Sequence, residues 1–164
     1  MRSPGRVRQA PLQQGFPNLR GTGRCQVHSE CEGVVECTAL VLAESCTEYE
    51  DRLTLFGILD EIRPNGSGET SFVVYTKFEG CEHASDKERR ARILVTDEEG
   101  EVLMESAEYS VYLDGTEEPV TIVAAFDLPE DFEVGEQQLL WVEAVLDEET
   151  LAQTVVRIHD RYSV

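Results

Sequence analysis

The clearest pattern in this sequence is a series of short segments, beginning near Glu36, in which apolar and polar residues alternate. Alternation with a period of two is typical of β-strands, and these segments are rich in β-branched and aromatic residues. Turn-forming residues separate them, and no segment carries a helical repeat of useful length. The pattern predicts an all-β fold of about eight strands, an antiparallel β-sandwich of the immunoglobulin-like or C2-like kind.

The first predicted strand is apolar on both of its faces. Its alternating sets are Cys37, Ala39, Val41 and Ala43 on one face and Thr38, Leu40, Leu42 and Glu44 on the other. Antiparallel strands that face water on one side are normally polar there. We therefore expect this strand to be covered on both sides or to lie near the centre of its sheet.

The other seven strands are predicted over residues 53–59, 71–78, 90–95, 101–113, 120–126, 139–146 and 151–158. A bulge or a close backbone approach is expected at Gly57. A polar turn is expected over 47–52, a loop over 64–68, and a hairpin turn over 97–100 with Gly100 at positive φ. The predicted core consists of inward positions of these strands: Leu55, Val74, Ile93, Ile122, Phe126, Val142 and Val156.

The first 34 residues lack this alternation. They contain five arginines, two acids and three prolines, and their apolar residues are too sparse to offset the entropy of ordering them. We therefore predict a disordered basic head over 1–34 and a β-sandwich domain over 35–164. Two interpretations of the head stay open: a flexible tail, or upstream sequence before a translation start at Val34 or Val35.

The predicted domain is strongly acidic. The whole chain has a net charge of −19, and the part from Val35 onward has nine bases against 31 acids. Such a surface repels phosphate backbones and anionic lipid, so we expect no nucleic-acid and no membrane partner. A surface adapted to salt, a protein partner with a basic surface, or a cation site would each account for the acidity.

Two further features of the sequence bear on location. No run of 18 apolar residues occurs, and the head has no apolar stretch of the kind that a secretory signal needs. The five cysteines are an odd number, unlike the frameworks of secreted proteins, and are predicted to be reduced thiols. A cytoplasmic location is therefore predicted.

One cluster has residue types that bind zinc: Cys25, His28, Cys31 and Cys37. Structural zinc sites normally combine two short ligand pairs, and here the spacing of the second pair is loose. Cys37 also falls inside the first predicted strand. We therefore predict no metal site.

The signatures of catalysis are missing from the sequence. It has no nucleophile elbow, phosphate-binding loop, dinucleotide fingerprint or zinc-protease helix. Cys81 lies two residues before His83, but a loop fixes no geometry between them and the acidic surroundings disfavour a thiolate. We predict no catalytic residue, no cofactor and no enzymatic activity. Trp141 is expected in the core, and an exposed sugar-stacking platform is its alternative role.

Carboxylates recur at predicted turns, over residues 48–51, 97–101, 117–118, 130–133 and 147–149. Calcium-binding sandwiches collect such loops at one edge. Alternating hairpins would place some of these turns at opposite ends, and acidic turns are common in soluble β proteins. A cation- or small-ligand-binding module therefore stays an alternative.

Two stretches of the domain resemble a family of small uncharacterised bacterial proteins, a domain of unknown function. The first is residues 36–62, with the motif Leu53-Thr54-Leu55-Phe56-Gly57, and the second is residues 126–158, with Phe126, Leu128, Phe132, Gly135 and Val142. The resemblance covers about residues 35–158. It implies a β-sandwich and carries no catalytic residues.

The sequence as a whole predicts a non-catalytic β-sandwich module that acts through a protein partner or as a structural component. It does not predict a pathway or an oligomeric state.

Overall fold

The computed structural model describes residues 34–63, 70–80, 88–113, 118–128 and 137–159. The described residues form ten strands: β1 (Val35–Tyr49), β2 (Arg52–Ile58), β3 (Glu61–Ile62), β4 (Thr70–Gly80), β5 (Glu88–Thr96), β6 (Val102–Glu105), β7 (Tyr109–Tyr112), β8 (Val120–Leu128), β9 (Gln137–Leu146) and β10 (Glu149–His159). None of the described residues belongs to a helix of the length and apolarity that crossing a membrane requires.

The strands form two sheets. The four-stranded sheet has the order β2-β1-β4-β8, and all its neighbours are antiparallel. The six-stranded sheet has the order β3-β10-β9-β5-β6, with β7 also paired to β5. Its short strand β3 runs parallel to β10, and its other pairs are antiparallel. The predicted all-β sandwich is confirmed.

One hydrophobic core joins the two sheets. Alternate residues of β4 and β8 point into it from one sheet, and alternate residues of β5, β9 and β10 point into it from the other. Six of the seven predicted core residues are buried: Val74, Ile93, Ile122, Phe126, Val142 and Val156. Leu55 is the exception and is only half-buried, because β2 is the edge strand of its sheet.

Gly57 is a point of close approach and not a bulge, because β1 and β2 pair around it in constant register, and Gly100 has the predicted positive φ. Gly57 has a φ of 62° and Gly100 a φ of 82°, values that residues other than glycine rarely adopt. A Cβ atom at Gly57 would lie 2.6 Å from the Glu44 carboxyl group. The close approach of Glu44 to the backbone of β2 therefore depends on glycine.

The structure corrects three predicted elements. The predicted fifth strand is two strands, because Ser106 interrupts it: the Ser106 hydroxyl accepts a 2.9 Å hydrogen bond from the amide of Ile93. The polar turn predicted over 47–52 is only two residues, Glu50 and Asp51, both at positive φ, as tight hairpins require. The two-residue strand β3 was not predicted, since a segment so short has no period.

Candidate functional surface

The outward side of the four-stranded sheet is apolar across three neighbouring strands. Register pairs place Val41, Tyr75 and Val123 in one row across β1, β4 and β8. The adjacent row consists of Ala43, Val73 and Ala125. We call these six residues the outer apolar face.

This face is distinct from the core. Along β4 the residues between its members, Phe72, Val74 and Thr76, are buried between the sheets, whereas Val73 and Tyr75 are partly exposed. Ala125 is exposed, whereas Ala43 has no exposed surface. A sheet face that only meets water would normally carry polar residues at these positions.

The apolar surface continues onto β2. Ile58 pairs with Ala43, and Phe56 pairs with Ser45 one step further along β1. Their side chains are 64% and 50% exposed, respectively. Large exposed apolar side chains next to an apolar sheet face form a patch of the kind that marks interaction sites.

Polar and charged groups border the outer apolar face. On β4, Lys77 forms an ion pair with Glu79. The hydrogen bond within this pair lowers the pKa of the Glu79 carboxyl group, although burial acts in the opposite direction. At the other end, Ser71 pairs with Asp127 of β8. The face is thus an apolar centre with a charged border, which is the usual arrangement of a protein interface.

One sequence signal pointed to this surface. The first predicted strand was expected to be covered on both sides or central, and β1 is an interior strand between β2 and β4. The other sheet covers its inward side. Its outward side is covered only in part, since Val41 stays partly exposed whereas Ala43 has no exposed surface.

Carboxylates of two predicted acidic turns, 97–101 and 147–149, stabilise the fold, whereas residue 117 and the turn over 130–133 lie outside the described residues. The Asp97 carboxylate accepts hydrogen bonds from the amides of Glu99 and Glu101, at 2.9 and 2.8 Å. The Asp147 carboxylate accepts from the Arg90 amide at 2.8 Å and the Arg89 guanidinium at 2.7 Å. These oxygens hold turns and strands together, which accounts for part of the acidity without a cation.

Among the described residues, no three His, Cys, Asp or Glu side chains are placed to hold a metal ion. Cys25, His28 and Cys31 lie outside the described residues, as do Cys81, Glu82 and His83 and the loop over 64–68. Cys37 is half-buried on β1, where burial raises the pKa of its thiol despite hydrogen bonds with backbone groups.

Arginines of the six-stranded sheet are paired with acids. Arg92 lies between Glu105, at 2.9 Å, and Glu148, at 2.6 Å. Arg90 pairs with Glu108 at 3.1 Å. With Arg89 held by Asp147, these bases are neutralised locally and do not form an unpaired basic patch.

Trp141 corrects another expectation, because it is not a core residue. Its neighbours Leu140 and Val142 are fully buried, so the half-buried indole lies on the outward side of the six-stranded sheet. Register pairs place it between Val155 and Thr96. The outward side of this sheet also carries the exposed Tyr112, and ion pairs of Arg90 and Arg92 cross it, so it is more charged than the outer apolar face.

A cleft of about 440 Å³ lies where β3 meets the end of β4. Glu61 at its wall contacts Arg63 at 2.6 Å, and His159 Nε2 lies 3.1 Å from the Glu61 carboxylate. Burial favours the neutral acid, but these two partners outweigh it and lower the pKa of Glu61. Within the cleft, the charge of Glu61 is thus paired with Arg63 and His159.

The chain was compared with known proteins. No family model and no curated protein matches it, so the resemblance of residues 35–158 to a bacterial family stays a prediction. Among solved structures it is similar to the Pseudomonas fluorescens alkylpurine DNA glycosylase AlkC, with a TM-score of 0.51 and 8% identity over 77% of this chain and 30% of that one.

Two further solved structures are similar at lower TM-scores. An immunoglobulin-like protein from Pseudomonas aeruginosa has a TM-score of 0.41 and 15% identity, over 78% of this chain and 98% of that one. A Bifidobacterium dentium β-glucuronidase has 0.40 and 11%, over 75% and 18%. At such identities the likeness concerns the fold alone.

Proposed function

We propose that this chain is a non-catalytic module that binds another protein through the outer apolar face. The observation that carries the proposal is the pair of apolar rows across β1, β4 and β8 on the side away from the core. Burying such a surface against a partner is favourable by roughly 25 cal/mol for each Å² of apolar area.

The partner is expected to present an apolar surface bordered by basic residues. The domain has a net charge of −22 from Val35 onward, and charges of opposite sign speed the encounter of two proteins and select the partner. Association should therefore slow and weaken as salt rises, because salt screens exposed charges beyond about 8 Å at physiological ionic strength.

The test uses two pairs of isosteric substitutions. Val73→Thr with Val123→Thr makes the outer apolar face polar and keeps two β-branched residues in their strands. Val102→Thr with Val155→Thr makes the same change at two exposed valines of the other sheet and is the matched control. Proteins retained from an extract of the source cells by the unchanged chain and the control, but not by the face variant, are purified for calorimetry.

The proposal expects the face variant to bind the purified partner at least about tenfold more weakly than the control, from the loss of two buried methyl groups and the burial of two hydroxyls. Binding that is equal for the two variants, or that strengthens with salt, contradicts it. A saturable heat on titration with calcium would instead favour the alternative, a cation-binding module.

A further inference from the structure

The edge strand β8 lacks the features that normally protect a sheet edge. Natural edges are kept short, bulged, or marked with lysine or proline, since unpaired backbone groups attract other strands. β8 has nine residues, no proline or lysine, and a single charged residue, Asp127. It pairs with β4 over its whole length without a register shift.

The other edges formed by described residues are protected. β3 has two residues, and β6 and β7 have four each. β2 is longer, but Gly57 at a φ of 62° breaks its regular backbone near one end. Among the described residues β8 pairs with β4 alone. The backbone N–H and C=O groups on its other side therefore form a long, regular row, unlike those of the other edge strands.

We infer that two copies of this chain pair antiparallel through β8, with Ala124 of one copy opposite Ala124 of the other. In this register Ile122 lies opposite the second copy's Phe126, and both point toward the core side of their sheets. The pairing joins the two four-stranded sheets into one continuous sheet. A two-fold axis relates the copies, as in most homodimers.

The charges of β8 fit a second copy. Its single carboxylate, Asp127, would lie opposite the uncharged Thr121 of the other copy, and Val120 opposite Leu128. Within the paired residues 120–128 no like charges then meet across the junction, although the domain as a whole is strongly acidic. A charge-poor strand is the place where two such chains can approach with least repulsion.

The register can be tested by moving charge. Thr121→Asp places the new carboxylate opposite Asp127 of the other copy, once at each end of the junction. Within one chain the new acid lies next to Lys77 of β4, its register partner, so the fold should tolerate the change. Thr54→Asp adds the same charge on β2 at the opposite edge and is the control. Sedimentation equilibrium of the full chain measures the dimer dissociation constant.

We expect the unchanged chain and T54D to dimerise equally, and T121D to dimerise roughly 3- to 30-fold more weakly, from two like-charge cross-strand pairs. Adding Asp127→Lys to T121D places opposite charges together and should restore the dimer. A chain that stays monomeric up to millimolar concentration, an open polymer, or a T121D dimer as tight as the T54D dimer overturns the inference. These outcomes do not depend on a partner for the outer apolar face.

Discussion

Replacing Phe126 by alanine tests how β8 is placed against the core. Phe126 is 5% exposed, and its ring stacks on Phe72 with centroids 5.5 Å apart and planes 22° apart. Removing a buried phenylalanine costs about 3–5 kcal/mol through lost transfer energy and the cavity that remains. The stacked pair accounts for about 0.5–1.5 kcal/mol of that cost.

The assay is urea unfolding followed by the fluorescence of Trp141, the single tryptophan. A double-mutant cycle with Phe72→Ala isolates the stacking energy. Since a domain of this size is stable by only about 5–15 kcal/mol, Phe126→Leu provides a milder variant that keeps most of the side-chain volume. Phe56→Ala is the control, because Phe56 is 50% exposed.

We expect the control to cost about 1 kcal/mol or less, as half-exposed side chains do. If Phe126→Ala costs no more than Phe56→Ala, the face assignment of β8 is inverted. A register slip of one residue would then turn Val123 and Ala125 inward. The outer apolar face would lose its β8 members, so the same result bears on the proposed function.

Three other predictions concern the Tyr109 hydroxyl, the Glu61 carboxyl group and the head. Tyr109→Phe should leave the free energy of unfolding unchanged or raise it by about 1 kcal/mol. The buried Tyr109 hydroxyl has no hydrogen-bond partner among the described residues, and burial raises its pKa. A loss of stability in thermal unfolding would show that the hydroxyl has a partner. The pKa of Glu61 is lowered in the folded chain, so its contribution to stability is present above the ordinary pKa and is lost as pH falls through the folded value; an NMR titration should find that His159→Ala raises the Glu61 pKa, and an unchanged value would contradict this. Deleting residues 1–34 should leave the melting temperature within experimental scatter, and a drop of several degrees would show that the head packs on the domain.

Strand positions followed from the sequence where the period was regular. In β5 and β8 the alternation was clear, and the inward residues Ala91, Ile93, Ile122 and Phe126 are buried. The break between β6 and β7 depends on one side-chain hydrogen bond, from the Ile93 amide to the Ser106 hydroxyl. Such a contact joins residues 13 positions apart and leaves no trace in the hydrophobic period.

The outer apolar face could be predicted only in part. The apolar residues on both sides of β1 indicated a second covered face, but the sequence does not say which strands lie next to it. β8 joins β4 although 39 residues separate Gly80 from Val120 and three strands of the other sheet intervene. The face exists because this long-range pairing places Val123 and Ala125 beside Val73 and Tyr75.

The charged residues and the apolar residues of the domain lie in different places. Acidic residues occur at the hairpin turns, and the exposed Glu50 and Asp51 between β1 and β2 are examples, whereas the centre of the outer apolar face has none. Charges at the ends of the sandwich act over about a Debye length and repel other acidic proteins before surfaces meet. A partner with basic residues around an apolar surface is attracted over the same distance. Under the proposed function, the acidity selects which proteins approach, and the apolar rows select which of them stay bound.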